Sequence, residues 1–148
     1  MHSFTSCLIH CVWSTKDRES SLNHQLRDRL WPYLGGIAKQ NKMKALAIGG
    51  TGDHVHILIS LPSILSVAKA VQLLKGNSSK WIRETFPTLR SFAWQEGYGA
   101  FSIGVSGIDA TASYIRDQAA HHRTRSFRDE FMTMLRKHGL ADEASMLD

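Results

Sequence analysis

The sequence predicts an α+β fold: a four-stranded antiparallel sheet with two long helices packed on one face. Three observations predict it. Residues 20–41 and 64–85 carry apolar side chains at spacings of three and four, as helices do. Residues 3–14, 43–49, 54–61 and 100–106 alternate instead, as strands do. The two kinds interleave as strand, helix, strand, strand, helix, strand, the βαββαβ order of the ferredoxin-like or RRM-like split fold. At 148 residues the chain makes one domain, 1–148, with a core over about 4–137 and a tail over 138–148.

Each element has its own signal. In the first strand Cys7, Ile9, Cys11 and Trp13 share one face, and Ser6, Leu8, His10 and Val12 the other. The first helix repeats Leu22, Leu26, Leu30, Leu34 and Ile37, and Gly35-Gly36 can weaken or bend it. Gly49-Gly50-Thr51-Gly52-Asp53 is a turn, so the strands either side form a hairpin. The second helix follows Pro62, with Ser63 as its cap and Ile64, Val67, Val71, Leu74 and Trp81 toward the core. After the fourth strand, Asp109 caps a helix over about 110–122, and a last helix spans about 125–137. The sheet face away from the two long helices is open for a ligand, a partner or an added helix.

Composition narrows the function classes. Hydrophobic residues make up 43% and charged residues 21%, an ordinary globular balance that argues against disorder. No run reaches 18 apolar residues, so no membrane helix is expected. The N-terminus has no basic region before an apolar one and does not read as a signal peptide. Cys7 and Cys11 make no disulfide framework, which fits a reducing cytoplasm. The formal net charge is +5, with the surplus on the two long helices and their loops. Residues 16–44 hold seven basic and three acidic residues, and 63–95 hold five and one. A polyanionic partner fits such a surface. On the second helix Lys69, Lys75, Asn77, Ser78, Lys80 and Arg83, with Trp81, suit phosphate contact and base stacking. The same residues also suit a solvated helix face with one core tryptophan.

The chemistry begins at His54-Val55-His56. On a strand the two imidazoles project from one side, and Val55, Ile57, Ile59 and Leu61 from the other. Paired imidazoles on an open sheet face can hold a divalent ion. With eight histidines in 148 residues, one such pair arises about 0.4 times by chance, so placement matters more than the pattern. On the next helix Tyr114 and Gln118 are four apart and share a side, opposite Ala112, Ile115 and Ala119. A tyrosine oxygen can attack phosphorus, and an amide oxygen can join two imidazoles on a metal. Asp117, His121 and His122 compete with Gln118 for that place.

Four stretches together go further: GDHVHILISLP, LLKGNSSKWI, WQEGYGAFSIGVS and YIRDQAAHHRTRSF. In this order and spacing they closely resemble the single-tyrosine transposases of the HUH superfamily. Those are the enzymes of small bacterial and archaeal insertion sequences and the REP-associated tyrosine transposases. The resemblance runs from about Phe4 to Lys137. It implies that His54 and His56 bind Mg²⁺ or Mn²⁺ and that Gln118 is the third ligand. It implies that Tyr114 attacks single-stranded DNA beside an imperfect hairpin, becoming joined to the 5′ phosphate and freeing a 3′ hydroxyl. It further implies a homodimer in which Tyr114 of one subunit completes the other's site.

Four other readings compete. A domesticated relative would bind hairpins without cutting. An RNA-binding module would stack bases on strand aromatics, but the third strand offers His54 and His56 there instead. A phosphoesterase with two His-x-Thr/Ser motifs is excluded because only His122-Arg123-Thr124 has that form. A zinc hydrolase lacks a convincing carboxylate or thiolate ligand.

Overall fold

The computed structural model describes residues 2–118 and 125–144. Its sheet has the order β2-β3-β1-β4, with β1 Leu8–Ser14, β2 Lys44–Gly50, β3 His54–Ser60 and β4 Gly99–Ile103. All neighbours run antiparallel, and β1 and β3 are central. This is the topology the sequence predicts.

The alternation on β1 and β3 divides the core. Ile9, Cys11, Trp13, Val55, Ile57 and Ile59 face α1 (His24–Gln40) and α2 (Val67–Thr85) in the main cluster. The side chains of alternate parity, among them His10, Val12, His54, His56 and Leu58, point the other way. That second face is covered by α3 (Ile108–Arg116) and α4 (Phe127–Lys137). The sheet is therefore a middle layer between two pairs of helices. Among the described residues no helix is long and apolar enough to cross a membrane.

Several local boundaries differ from expectation. α2 is capped by Ser66, whose Oγ accepts from Lys69 N at 3.0 Å, and not by Ser63. Residues 62–65 form a turn closed by Leu65 N to Pro62 O, so Ile64 is 79% exposed instead of packed. β4 stops at Ile103 because Gly104 opens into a tight turn, Val105–Gly107, and Val105 faces solvent. α3 follows that turn directly, so Asp109 lies inside its first turn and caps nothing. α1 starts where Asn23 Oδ1 accepts from Leu26 N at 2.9 Å, and it continues through Gly35-Gly36 to Gln40. A short helix, Ala141–Ala144, occupies part of the expected acidic tail. His121 and His122 lie outside the described residues.

What positions the site is the close approach of α3 to the sheet. Ala112 and Ile115 pack on Ala47 and Leu58. Gly49 on β2 makes room: a Cβ there would sit 2.2 Å from the Ile115 carbonyl oxygen. Any side chain at residue 49 would push the helix off the strand.

Candidate metal and nucleophile site

β3 carries His54 and His56 onto the covered face, and both are fully buried. Each ring is held by its Nδ1. His54 Nδ1 lies 2.8 Å from Asp53 Oδ1, and Thr51 Oγ1 also reaches that carboxylate at 3.0 Å. His56 Nδ1 lies 2.8 Å from Nε2 of His10, the neighbour from β1. Both Nε2 atoms then point into one space. Into it come Gln118 Oε1, 2.9 Å from His54 Nε2, and Glu130 Oε1, 3.0 Å from His56 Nε2 and 3.6 Å from His54 Nε2. Tyr114 reaches the same carboxylate, its hydroxyl donating to Glu130 Oε2. Its ring centroid is 5.9 Å from that of His56.

The donor set can hold a cation. Gln118 Nε2 donates to Glu130 Oε2 at 3.0 Å, which fixes the amide with Oε1 toward His54. The Asp53 carboxylate accepts from His54 Nδ1, which turns Nε2 of the ring toward two oxygens. Atoms facing at such distances are bridged by a proton or by a metal ion. The ligand atoms of His54, His56 and Glu130 lie within 4.8 Å of one another. Two imidazoles, a carboxylate and an amide oxygen, each imidazole braced at its far nitrogen, fit a divalent ion.

His10 suits both forms of His56. Against the Glu130 carboxylate His56 must donate from Nε2, so His10 donates to Nδ1. With Nε2 turned to a metal, the proton sits on Nδ1 and His10 accepts it. A second imidazole can reverse its role; a carbonyl oxygen cannot. Burial, and then the neighbouring His56, push the pKa of His10 down to about 3, so it stays neutral for this exchange.

Glu130 is almost fully buried. Burial works against its charge, but hydrogen bonds from His56, Tyr114 and Gln118 outweigh that and hold the carboxyl well below its ordinary range. Tyr114 moves the other way: burial first, then its bond to Glu130, keep the phenol protonated well above its usual value. Beside the tyrosine lies a cavity of about 290 Å³, lined by Tyr114, Glu130, His10, Arg125, Lys137 and others. An anion arriving there meets cations and the hydroxyl together.

The structure thus brings together Tyr114, His54, His56 and Gln118. Asp117 is exposed at the end of α3. Lys69, Lys75, Asn77, Ser78, Lys80 and Arg83 are on α2, across the sheet from the histidines. Of these Ser78 is fully buried, its Oγ accepting from Trp94 Nε1 at 3.0 Å, and so faces the core. Lys75 Nζ donates to Gln95 O and Gly97 O, pinning the loop before β4. Lys69, Asn77, Lys80 and Arg83 remain on the surface.

Glu130 and His10 are absent from the expected set, yet each had a signal. Glu130 interrupts the apolar stripe Phe127, Phe131, Met134 on α4. His10 sits between Leu8 and Val12 on one face of β1. A polar side chain on a buried stripe needs a partner.

Residues 3–118 match the family model described as Transposase IS200 like. The chain belongs to that family. It is 31% identical over 85 residues to the ISDra2 transposase TnpA of Deinococcus radiodurans, covering 57% of this chain and 61% of that protein. It is 28% identical over 109 residues to the transposase for insertion sequence element IS200 of Salmonella typhimurium, covering 70% of this chain and 71% of that protein. Among solved structures, one from Deinococcus radiodurans described as a transposase matches with a TM-score of 0.67 at 25% identity, covering 80% of this chain and 95% of that one. A REP-associated tyrosine transposase bound to a REP hairpin shares the fold, with a TM-score of 0.62 at 14% identity over 82% of this chain and 72% of that one. This IS200-like chain places α3 and α4 over the sheet face where an RNA-binding module would stack bases.

Proposed function

We propose that this chain cleaves and rejoins single-stranded DNA at hairpin-bearing element ends, with Tyr114 as nucleophile. His54, His56, Gln118 and Glu130 hold a divalent ion, Mg²⁺ or Mn²⁺. The observation that carries the reading is the convergence of two braced imidazoles, two oxygen ligands and a tyrosine hydroxyl on one buried point. The ion's chemistry there is to draw charge from the phosphodiester oxygens. Two imidazoles would accept Zn²⁺, but the oxygen ligands and the phosphate favour the harder ions.

Tyr114 Oη attacks phosphorus, and its bond to the 5′ phosphate forms as the bond to the 3′ oxygen breaks. The Glu130 carboxylate, which stays ionised, orients the phenol by accepting from its hydroxyl. The phenol proton is lost to solvent as the bond to phosphorus forms, and the departing 3′ oxygen takes up a proton from solvent and leaves as a hydroxyl. Rejoining reverses these steps and needs no ATP, since phosphotyrosine retains the energy of the cleaved bond. Arg125 and Lys137 complement the phosphate charge from the cavity wall. In this reading the exposed cations of α2, Lys69, Lys80 and Arg83, with Asn77, take duplex or loop phosphates of the hairpin. Such an enzyme works in the cytoplasm of a prokaryote.

A homodimer with Tyr114 in trans is the second reading, favoured by the free edge of β4. Pairing of that edge with its two-fold mate would let α3 cross between subunits at the turn Val105–Gly107. In the single chain Tyr114 reaches its own His56.

The test is incubation with a single-stranded element end and Mg²⁺, followed by a denaturing gel. A covalent protein–DNA adduct is expected from the wild type. None is expected from Tyr114→Phe, which should still bind the hairpin because ring packing is retained. An adduct from Tyr114→Phe, or hairpin binding with no adduct from the wild type, contradicts the reading; the latter would describe a domesticated binder.

A further inference from the structure

A second, larger cavity lies on the flank of α4 away from Tyr114. Its volume is about 580 Å³, within the range of small-molecule sites. Its walls include Ser14, Asp17, Arg18, Glu96, Tyr98 and Phe131. It adjoins the histidine site, since Phe127 lines it and also packs on the His54 ring at 4.5 Å between centroids. Ser14 pairs directly across the strands with His54.

Three features of the walls say what fits. Phe127 and Phe131 stack with centroids 5.7 Å apart, and Tyr98 is 41% exposed at the rim. Aromatic rings at a cavity edge stack flat unsaturated rings. The lining carries two carboxylates, Asp17 and Glu96, against one guanidinium, Arg18, which lies 6.0 Å over the Phe127 ring. Lys75 faces Glu96 from α2 and leaves the surroundings close to charge balance, so what the two carboxylates add is acceptors for hydrogen-bond donors. The loop is also built to hold this shape. Lys75 reaches across from α2 to two of its carbonyls, Gln95 N donates to Ser14 O, and Gln95 Oε1 accepts from Asp17 N at 3.1 Å.

We propose that this cavity binds one unpaired nucleobase of the single strand that flanks the cleaved phosphodiester, and that it selects a base with an amino donor edge. Guanine fits best, because its N1–H and N2 amino group meet one carboxylate side by side. Thymine, with a single N3–H and two carbonyls, fits worst. The backbone phosphates stay outside, on the Arg18 side. The inference rests on the single-strand transposase reading, and it adds a protein contribution to sequence choice at a position the metal site does not touch.

The test uses metal-free protein with chelator, so that nothing is cut, and fluorescence anisotropy with labelled nine-residue oligonucleotides. One is all thymidine; the others carry a single central dG or a central abasic site. The dG oligonucleotide should bind about tenfold more tightly than the all-thymidine one, the scale of one good stacked and hydrogen-bonded base. Tyr98→Ala and Glu96→Gln should each remove most of that preference, and both residues are exposed enough to change without unfolding the chain. Lys80→Ala, across the sheet, should weaken all oligonucleotides alike and keep the preference. Equal affinity for dG and thymidine, a preference that survives both cavity variants, or no binding of any oligonucleotide overturns the proposal. The adduct assay with an element end judges the transposase reading separately, so either can fail alone.

Discussion

His10 and His56 are 46 residues apart in the chain and 2.8 Å apart in space. Strand alternation told which face His10 occupies, as it told for His54 and His56. It could not tell that His10 would fall beside His56, because that needs the β1–β3 register, in which Val12 pairs with His56. Glu130 was hidden for the same reason, since α4 reaches the histidines only through tertiary packing. Tyr114 and Gln118 were legible because their spacing is local. A pH test follows from His10. The unfolded chain takes a proton on it near the ordinary 6.5, the folded chain only near 3. Between those values unfolding takes up a proton, so stability falls as pH falls. The slope is at most about 1.4 kcal/mol per pH unit for one group. Glu130, whose carboxyl is lowered, adds its own loss only below its ordinary 4.5. Urea unfolding of metal-free protein from pH 6.5 to 4.5 should therefore show a shallower slope in His10→Gln than in wild type. Equal slopes would mean that His10 is not held neutral.

At the scale of elements, the two long helices and the β2–β3 hairpin followed from apolar spacing and the Gly49–Asp53 turn. Their ends did not. Ser63 and Ser66 are both good caps by type, and only Ser66 has its oxygen on a free amide of the first turn, Lys69 N. The docking of α3 was not legible either, because it depends on what is missing at Gly49. Gly49→Ala should force Ile115 and the whole helix outward, at a cost of about 1–3 kcal/mol for such overpacking. Tyr114 and Gln118 would move with it. The expected result is a lower melting temperature and loss of adduct formation with hairpin binding retained. Gly36→Ala, where a Cβ meets nothing within 4 Å, is the control: it should keep adduct formation and hold or raise the melting temperature, since alanine favours the helix. If Gly49→Ala matches that control, α3 does not hold its position through β2.

For the whole molecule, βαββαβ order predicted the strand arrangement because few topologies join these elements without crossing. The free second face left open what would cover it, and α3 and α4 of the same chain do. That arrangement brings Tyr114, His54, His56, Gln118 and Glu130 together within one chain, and subunit mixing asks whether one chain uses its own. Tyr114→Phe is mixed with His54→Ala/His56→Ala under conditions that exchange subunits. A site built within one chain leaves every copy defective, so the mixture makes no adduct. Recovery of adduct would establish the exchanged dimer. Beneath both arrangements lies the claim that Tyr114 itself becomes joined to DNA with the help of an ion at His54, His56, Gln118 and Glu130. The most direct measurement digests the wild-type adduct formed with Mn²⁺ and locates the DNA-bearing peptide by mass spectrometry. The predicted result is a 5′-phosphate nucleotide on Tyr114, absent with chelator and absent in Glu130→Ala; a nucleotide on any other residue, or the same yield without a divalent ion, would contradict the account.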